Sequence, residues 1–315
     1  MSEYAIQVED VTKQFGDKRA LNGVTFSMAA GTVLGVLGPN GAGKTTTINV
    51  LATLVRPTSG HARVAGFDVV THAADVRKSI GLTGQYAAID EMLTGRENLI
   101  LFGELNGLSR ARAHARADEL LTAFSLTDAA GRRVSTYSGG MRRRADIACG
   151  LVAAPAVVFL DEPTTGLDPR SRREVWDLVG ALAGQGTSVL LTTQYLDEAD
   201  ALSDSIVVID HGRVIAEGTA DELKQRVGGS FCQVTPAHAA DGPRIAAALA
   251  DIAAGPGELS ADPDTGTLSV PAPNGLATLS EVFRRVETLD IEIADIALRK
   301  PSLDEVFFEL TGSPT

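Results

Sequence analysis

The chain has 315 residues, 44% of them hydrophobic, and a formal net charge of −12 at neutral pH. That is enough apolar material for one large α/β domain and a smaller one, and the acidic balance argues against general nucleic-acid binding. Two cysteines, Cys149 and Cys232, stand in no metal-binding or redox spacing and read as small buried thiols. The opening MSEYAIQVEDVTK has neither the basic nor the apolar region of a signal peptide, so none is expected. The longest uncharged run, Ile147–Leu160, is too short to cross a membrane, and the chain reads as soluble.

Taken in chain order, the first strong element is the apolar run Val33–Leu37, a buried strand. It leads into Gly38-Pro39-Asn40-Gly41-Ala42-Gly43, then Lys44, Thr45 and Thr46, and an apolar helical pattern at Ile48, Val50 and Leu51. This is a phosphate-binding loop. Its glycines let backbone N–H groups turn onto phosphate oxygens, Lys44 adds a charge, and the Thr45 hydroxyl is placed to ligate Mg²⁺. A stretch with helical, arginine-rich periodicity covers 105–126, with Leu120, Leu121 and Phe124 on its apolar side. Val157–Leu160 is a second buried strand with Asp161 and Glu162 at its C-terminal end, where ligands bind in open α/β sheets. Asp161 suits Mg²⁺, through water, and Glu162 suits a general base on the attacking water. Further strands are expected at Ser188–Thr192 and Ile206–Asp210.

After Val227, Gly228-Gly229 reads as a linker. Beyond it the pattern gives a strand at 230–235, a helix at 242–253, strands near 258–261 and 267–270, a helix at 277–287 and a strand at 291–299. That βαββαβ order is ferredoxin-like. A last helix at 302–310 carries Leu303, Val306, Phe307 and Leu310 at helical spacing. This part holds 13 acidic and 5 basic side chains from Gly228 onward, shows no catalytic constellation, and reads as a regulatory or dimer-stabilising domain.

Between the phosphate loop and Asp161 lies YSGGMRRR, Tyr137–Arg144. With the two motifs above it makes residues 4 to 220 resemble an ATP-binding cassette subunit. The resemblance implies a phosphate-loop NTPase fold: a RecA-like core, an antiparallel β-subdomain and a helical subdomain at about 86–155, in a cassette of residues 1–227. It also implies a head-to-tail homodimer in which Ser138-Gly139-Gly140 of one subunit closes over the ATP of the other. Tyr137 and Met141 depart from the commonest Leu and Gln at those positions, and Arg142, Arg143 and Arg144 read either as a solvated face or as phosphate contacts.

By the same resemblance Phe15 stacks on adenine, Gln85 bridges Mg²⁺ and a transporter partner, and Gly166-Leu167-Asp168 links the two sites. The usual histidine after the strand at 188–192 is replaced by Gln194, whose amide donates a hydrogen bond to phosphate but relays no proton. The catalytic set is therefore Lys44, Glu162 and Gln194. LTGQYAAIDEMLTGRENL, LTTQYLDEAD and RKPSLDEVFFELTG narrow the likeness to the daunorubicin-resistance ATPase type. That implies an exporter motor at the cytoplasmic face of the membrane with a separate permease docking near Gln85–Asn98; Tyr86, Ile89, Met92 and Leu93 read either as an exposed groove for it or as ordinary packing under a loop. A soluble or purely regulatory ATP-binding cassette stays open as the alternative.

Overall fold

Three uninterrupted apolar runs set the centre of the fold: β3 (Val33–Leu37), β7 (Val157–Asp161) and β8 (Ser188–Thr193), in which every residue is buried. Strands covered on both faces belong to a parallel sheet, and each fully buried valine or leucine contributes about 1.5–3 kcal/mol relative to exposure. The fold is described by a computed structural model over residues 3–84, 88–227, 230–252, 259–262 and 264–311. It forms two compact units, Met1–Ala220 and Asp221–Thr315, whose boundary lies ahead of the expected linker.

In the first unit, β1 (Tyr4–Phe15) pairs antiparallel with β2 (Lys18–Ala29) and β4 (Ser59–Val64), and β5 (Phe67–Asp68) completes the order β2-β1-β4-β5. This is the antiparallel β-subdomain. The central sheet runs β10-β9-β3-β8-β7-β6, with β6 (Ile80–Thr83), β9 (Ser205–Asp210) and β10 (Arg213–Gly218) beside the three buried strands. Its pairings are parallel except β9 with β10. Helices α1 (Lys44–Leu51), α2 (Ala73–Ser79), α6 (Pro169–Gly184) and α7 (Leu196–Leu202) complete this core.

Between β6 and β7 the chain forms the helical subdomain from α3 (Gly95–Leu105), α4 (Arg110–Ala123) and α5 (Gly139–Gly150). Thr94 and Glu97 form a reciprocal capping box that starts α3. The helical pattern expected over 105–126 is split between α3 and α4, because Gly107 takes a left-handed φ of 83° between them. Of the two readings for Ile89, packing is the one observed: it is buried in the apolar core that includes Leu99, Leu121 and Ile147. Met92 is 66% exposed and Leu93 is half-buried. Gln85 and Tyr86 lie outside the described residues.

In the second unit, α8 (Ala220–Val227) opens at the boundary. It is followed by β11 (Phe231–Pro236), α9 (Gly242–Leu249), β12 (Ser260–Ala261), β13 (Leu268–Pro271), α10 (Leu276–Glu287), β14 (Ile293–Arg299) and α11 (Leu303–Thr311). The sheet order β12-β13-β11-β14, antiparallel throughout, is the ferredoxin-like plait read from the sequence. Alternate residues of β11 are buried, and Cys232 and Val234 meet Ile245, Leu249, Val282 and Val286 in one core. Among the described residues no helix is long and apolar enough to cross a membrane.

Candidate nucleotide site

The site forms where β3 and β7 end. The loop leaving β3 turns back onto α1, whose N-cap, Gly43, has φ 115°. A side chain at Gly43 would meet the Ala20 carbonyl at 2.9 Å, and one at Gly38 would meet the Ile209 carbonyl at 2.2 Å. Both positions accept glycine alone, so the loop lies flush against its neighbours with its backbone exposed to a ligand. The cavity in front, about 180 Å³, is lined by Lys18, Ala20, Asn40, Gly41, Gly43, Lys44, Thr45, Thr46 and Glu162.

Lys44 is 4% exposed. Its Nζ donates to the carbonyls of Gly38 at 2.7 Å and Pro39 at 3.2 Å and lies 3.4 Å from Glu162 Oε1. Burial pushes its pKa down, while the carboxylates of Glu162 and Asp161 pull it back up. Asp161 Oδ1 accepts hydrogen bonds from Thr45 Oγ1 at 3.3 Å and Thr192 Oγ1 at 2.5 Å. Thr45 and Asp161 thus meet as an oxygen pair beside the phosphate cradle, the donor chemistry a hard divalent cation takes.

Glu162 follows with a left-handed φ of 46°. Its backbone N–H donates to the Thr192 carbonyl at 3.1 Å and to Thr192 Oγ1 at 3.0 Å. The Thr165 hydroxyl donates to Glu162 Oε2 at 3.3 Å. Gln194, half-buried, emerges directly after β8, the neighbour of β7 in the sheet.

Away from this cluster, Ser138 caps α5, its hydroxyl accepting from the Met141 N–H at 3.2 Å. Ser138 and Gly139 are exposed. Gly140 is buried against α6, where a Cβ would stand 2.4 Å from Ser171 Oγ. That hydroxyl in turn donates to Asp168, the N-cap of α6. The signature loop and the Asp168 turn therefore pack as one piece.

Both departures at the signature have a packing reason. Tyr137 is buried, with its hydroxyl donating to the Ala129 carbonyl at 2.8 Å, and only a glycine at position 95 leaves room for that hydroxyl. Met141 packs on the helical-subdomain core. Phe15 is 49% exposed at the end of β1 under the Lys13 ammonium, 4.8 Å from its ring centroid.

Several contributors were not expected. Lys18 and Ala20 line the cavity, and Thr192 fastens both Asp161 and Glu162. Of the three arginines after the signature, Arg142 pairs with Glu91 and Arg144 with Glu174. Arg143 is neither solvated nor aimed at the cavity lining: it is buried on Asp146 and on backbone carbonyls. An arginine and an aspartate three apart on one helix was the available signal.

Residues 21–165 match the family described as ABC transporter. The doxorubicin resistance ATP-binding protein DrrA of Mycobacterium tuberculosis is 54% identical over 99% of this chain and 95% of its own length. The daunorubicin resistance ATP-binding protein DrrA2 of Streptomyces coeruleorubidus is 53% identical over 100% and 97%. A dimeric ATP-binding cassette solved in a post-hydrolysis state with ADP and phosphate superposes with a TM-score of 0.62 at 25% identity, covering 68% of this chain and 98% of that one. The chain is an ATP-binding ATPase of the ABC transporter family, in the branch of the daunorubicin and doxorubicin resistance ATP-binding proteins.

Proposed function

We propose that this chain is the motor subunit of an exporter for an amphipathic drug, antibiotic or lipid, working on the cytoplasmic face of the membrane with a separate permease. Cassettes of this family dimerise and work with a membrane subunit. The observation that carries the reading is the convergence of Lys44, Asp161, Glu162 and Thr192 on the glycine-lined cradle. An anion-binding loop, an oxygen pair for a cation and a carboxylate aimed at the same space are what phosphoryl transfer to water requires.

In this reading the N–H groups of Gly41, Ala42, Gly43 and Thr46 cradle the phosphates of ATP, and Lys44 leaves the Gly38 and Pro39 carbonyls to bind the outer ones. Phe15 stacks on adenine. Thr45 and Asp161 hold Mg²⁺, whose charge offsets that of the phosphates. Gln85 is a third contributor by resemblance. Glu162 takes the proton from the attacking water, and Gln194 donates to a γ-phosphate oxygen. Ser138, Gly139 and Gly140 of a second copy close over that phosphate, and Asp168 joins the two sites. Met92, Leu93 and the chain toward Asn98 face the permease. The plait is an accessory, regulatory unit.

The test is Mg²⁺-dependent ATP hydrolysis in lipid, with and without a candidate permease encoded beside the chain. Turnover stimulated by the permease is expected; ATP binding with negligible turnover in both states would establish the regulatory alternative. A second measurement isolates Gln194. Replacing it with alanine should lower kcat about 100- to 1,000-fold through loss of one hydrogen-bond donor to the transition state. Gln194→His should stay within about threefold of the parent and add a kcat inflection near the ordinary histidine pKa of about 6.5. Wild-type kcat in Gln194→Ala would remove this residue from the site.

A further inference from the structure

Arg143 lies on α5, the helix that the signature loop begins. Its guanidinium reaches across to the end of β7. Nε donates to the Pro163 carbonyl at 2.9 Å and Nη2 to the Asp161 carbonyl at 3.1 Å. These two carbonyls flank Glu162 in the chain. Nη1 donates to the Gly84 carbonyl at 2.8 Å, just past β6, and to Asp146 Oδ2 at 3.3 Å. Asp146 is buried too, and its other oxygen accepts the Ala88 N–H at 2.8 Å.

This arrangement is more than a buried ion pair. Glu162 has a backbone conformation that residues with a side chain rarely adopt, and such a conformation persists only where its surroundings over-determine it. Thr192 fixes the N–H of Glu162 from the β8 side. Arg143 fixes the carbonyls on both flanks from the α5 side. A planar fork with several fixed N–H directions can hold two such carbonyls at once; a lysine ammonium cannot reproduce that spacing.

We infer that Arg143 is a positioning residue for ATP hydrolysis: its guanidinium, oriented by Asp146, locks the backbone around Glu162 and ties it to the signature helix. The same helix presents Ser138 and Gly139 at its exposed start, so the clamp joins the surface offered to a partner's nucleotide with the carboxylate acting on the chain's own. The inference rests on the reading of Glu162 as general base.

The experiment uses the full chain with its permease in lipid and compares kcat, KM for ATP, affinity for a non-hydrolysable ATP analogue, and Tm. Arg143→Met is expected to lower kcat about 10- to 100-fold, with KM and analogue affinity within about threefold. The paired variant Arg143→Met/Asp146→Leu should regain the Tm lost in the single variant, since no unpaired charge is left buried. It should not regain kcat. Arg143→Lys keeps the charge without the fork and should stay at least about tenfold slow. Recovery of kcat together with Tm in the paired variant, wild-type turnover in Arg143→Lys, or a loss confined to KM would each overturn the inference. If Arg143→Met does not fold, the paired variant and Arg143→Lys decide alone. Glu162→Gln runs alongside. Loss of turnover there with normal Arg143 variants overturns this inference only. Normal turnover there overturns the base assignment and this inference with it.

Discussion

Glu162→Gln should leave ATP bound and lower its hydrolysis about 100- to 10,000-fold, the range that removal of a general base spans. The amide keeps the shape of the carboxylate and can still accept the Thr165 hydroxyl, now 3.3 Å away. What it loses is basicity toward the attacking water. It also loses the charge opposite Lys44 Nζ, 3.4 Å distant, which frees the ammonium for phosphate. Affinity for ATP should therefore hold or improve while turnover falls. Single-turnover hydrolysis measures the chemical step, and light scattering with Mg²⁺ and ATP measures the dimer, which should accumulate in the closed, pre-hydrolysis state. A Glu162→Gln protein that turns over like its parent would mean that another group activates the water.

Lys44→Ala should act on binding first. The ammonium is the one cationic side chain buried beside the glycine loop among the described residues lining the cavity, and charge-assisted hydrogen bonds of this kind are each worth about 1.5–3 kcal/mol. Affinity for ATP should fall about 10- to 100-fold, by the equivalence of about 1.4 kcal/mol to a factor of ten. A second effect has the same sign. Without Lys44, the Glu162 carboxylate faces incoming phosphates uncompensated, and like charges repel. Calorimetric titration with a non-hydrolysable analogue reads both. Unchanged affinity would leave the backbone N–H groups as the sole phosphate anchor.

Much of this site was legible in the sequence because its parts are local. β3 and β7 are continuous apolar runs, and the loop between β3 and α1 spells out its glycines, lysine and threonine in consecutive positions. Ser138-Gly139-Gly140 stands in consecutive positions as well, and the strand read at 230–235 is β11. What escaped depends on contacts between elements. Charged residues on a helix after a phosphate motif face water or phosphate, the two readings open for Arg143; only packing of α5 on the ends of β6 and β7 turns it inward. For Ile89 an exposed groove and packing under a loop are equally open from the sequence, and only the contact with the core that includes Leu99 decides for packing. The break at Gly107 was masked by helix-forming residues on both sides.

The left-handed backbone of Glu162 has a consequence for how such a chain ages in evolution. A residue with a Cβ gives up about 1–2 kcal/mol in that region, which glycine would not. Sequence drift constrained by folding alone would exchange this glutamate for glycine or asparagine, and, with Glu162 as the proposed general base, the cassette would become sturdier and silent. A copy released from its transporter should therefore decay first at position 162, well before its glycine loop, whose tight backbone contacts also serve the fold.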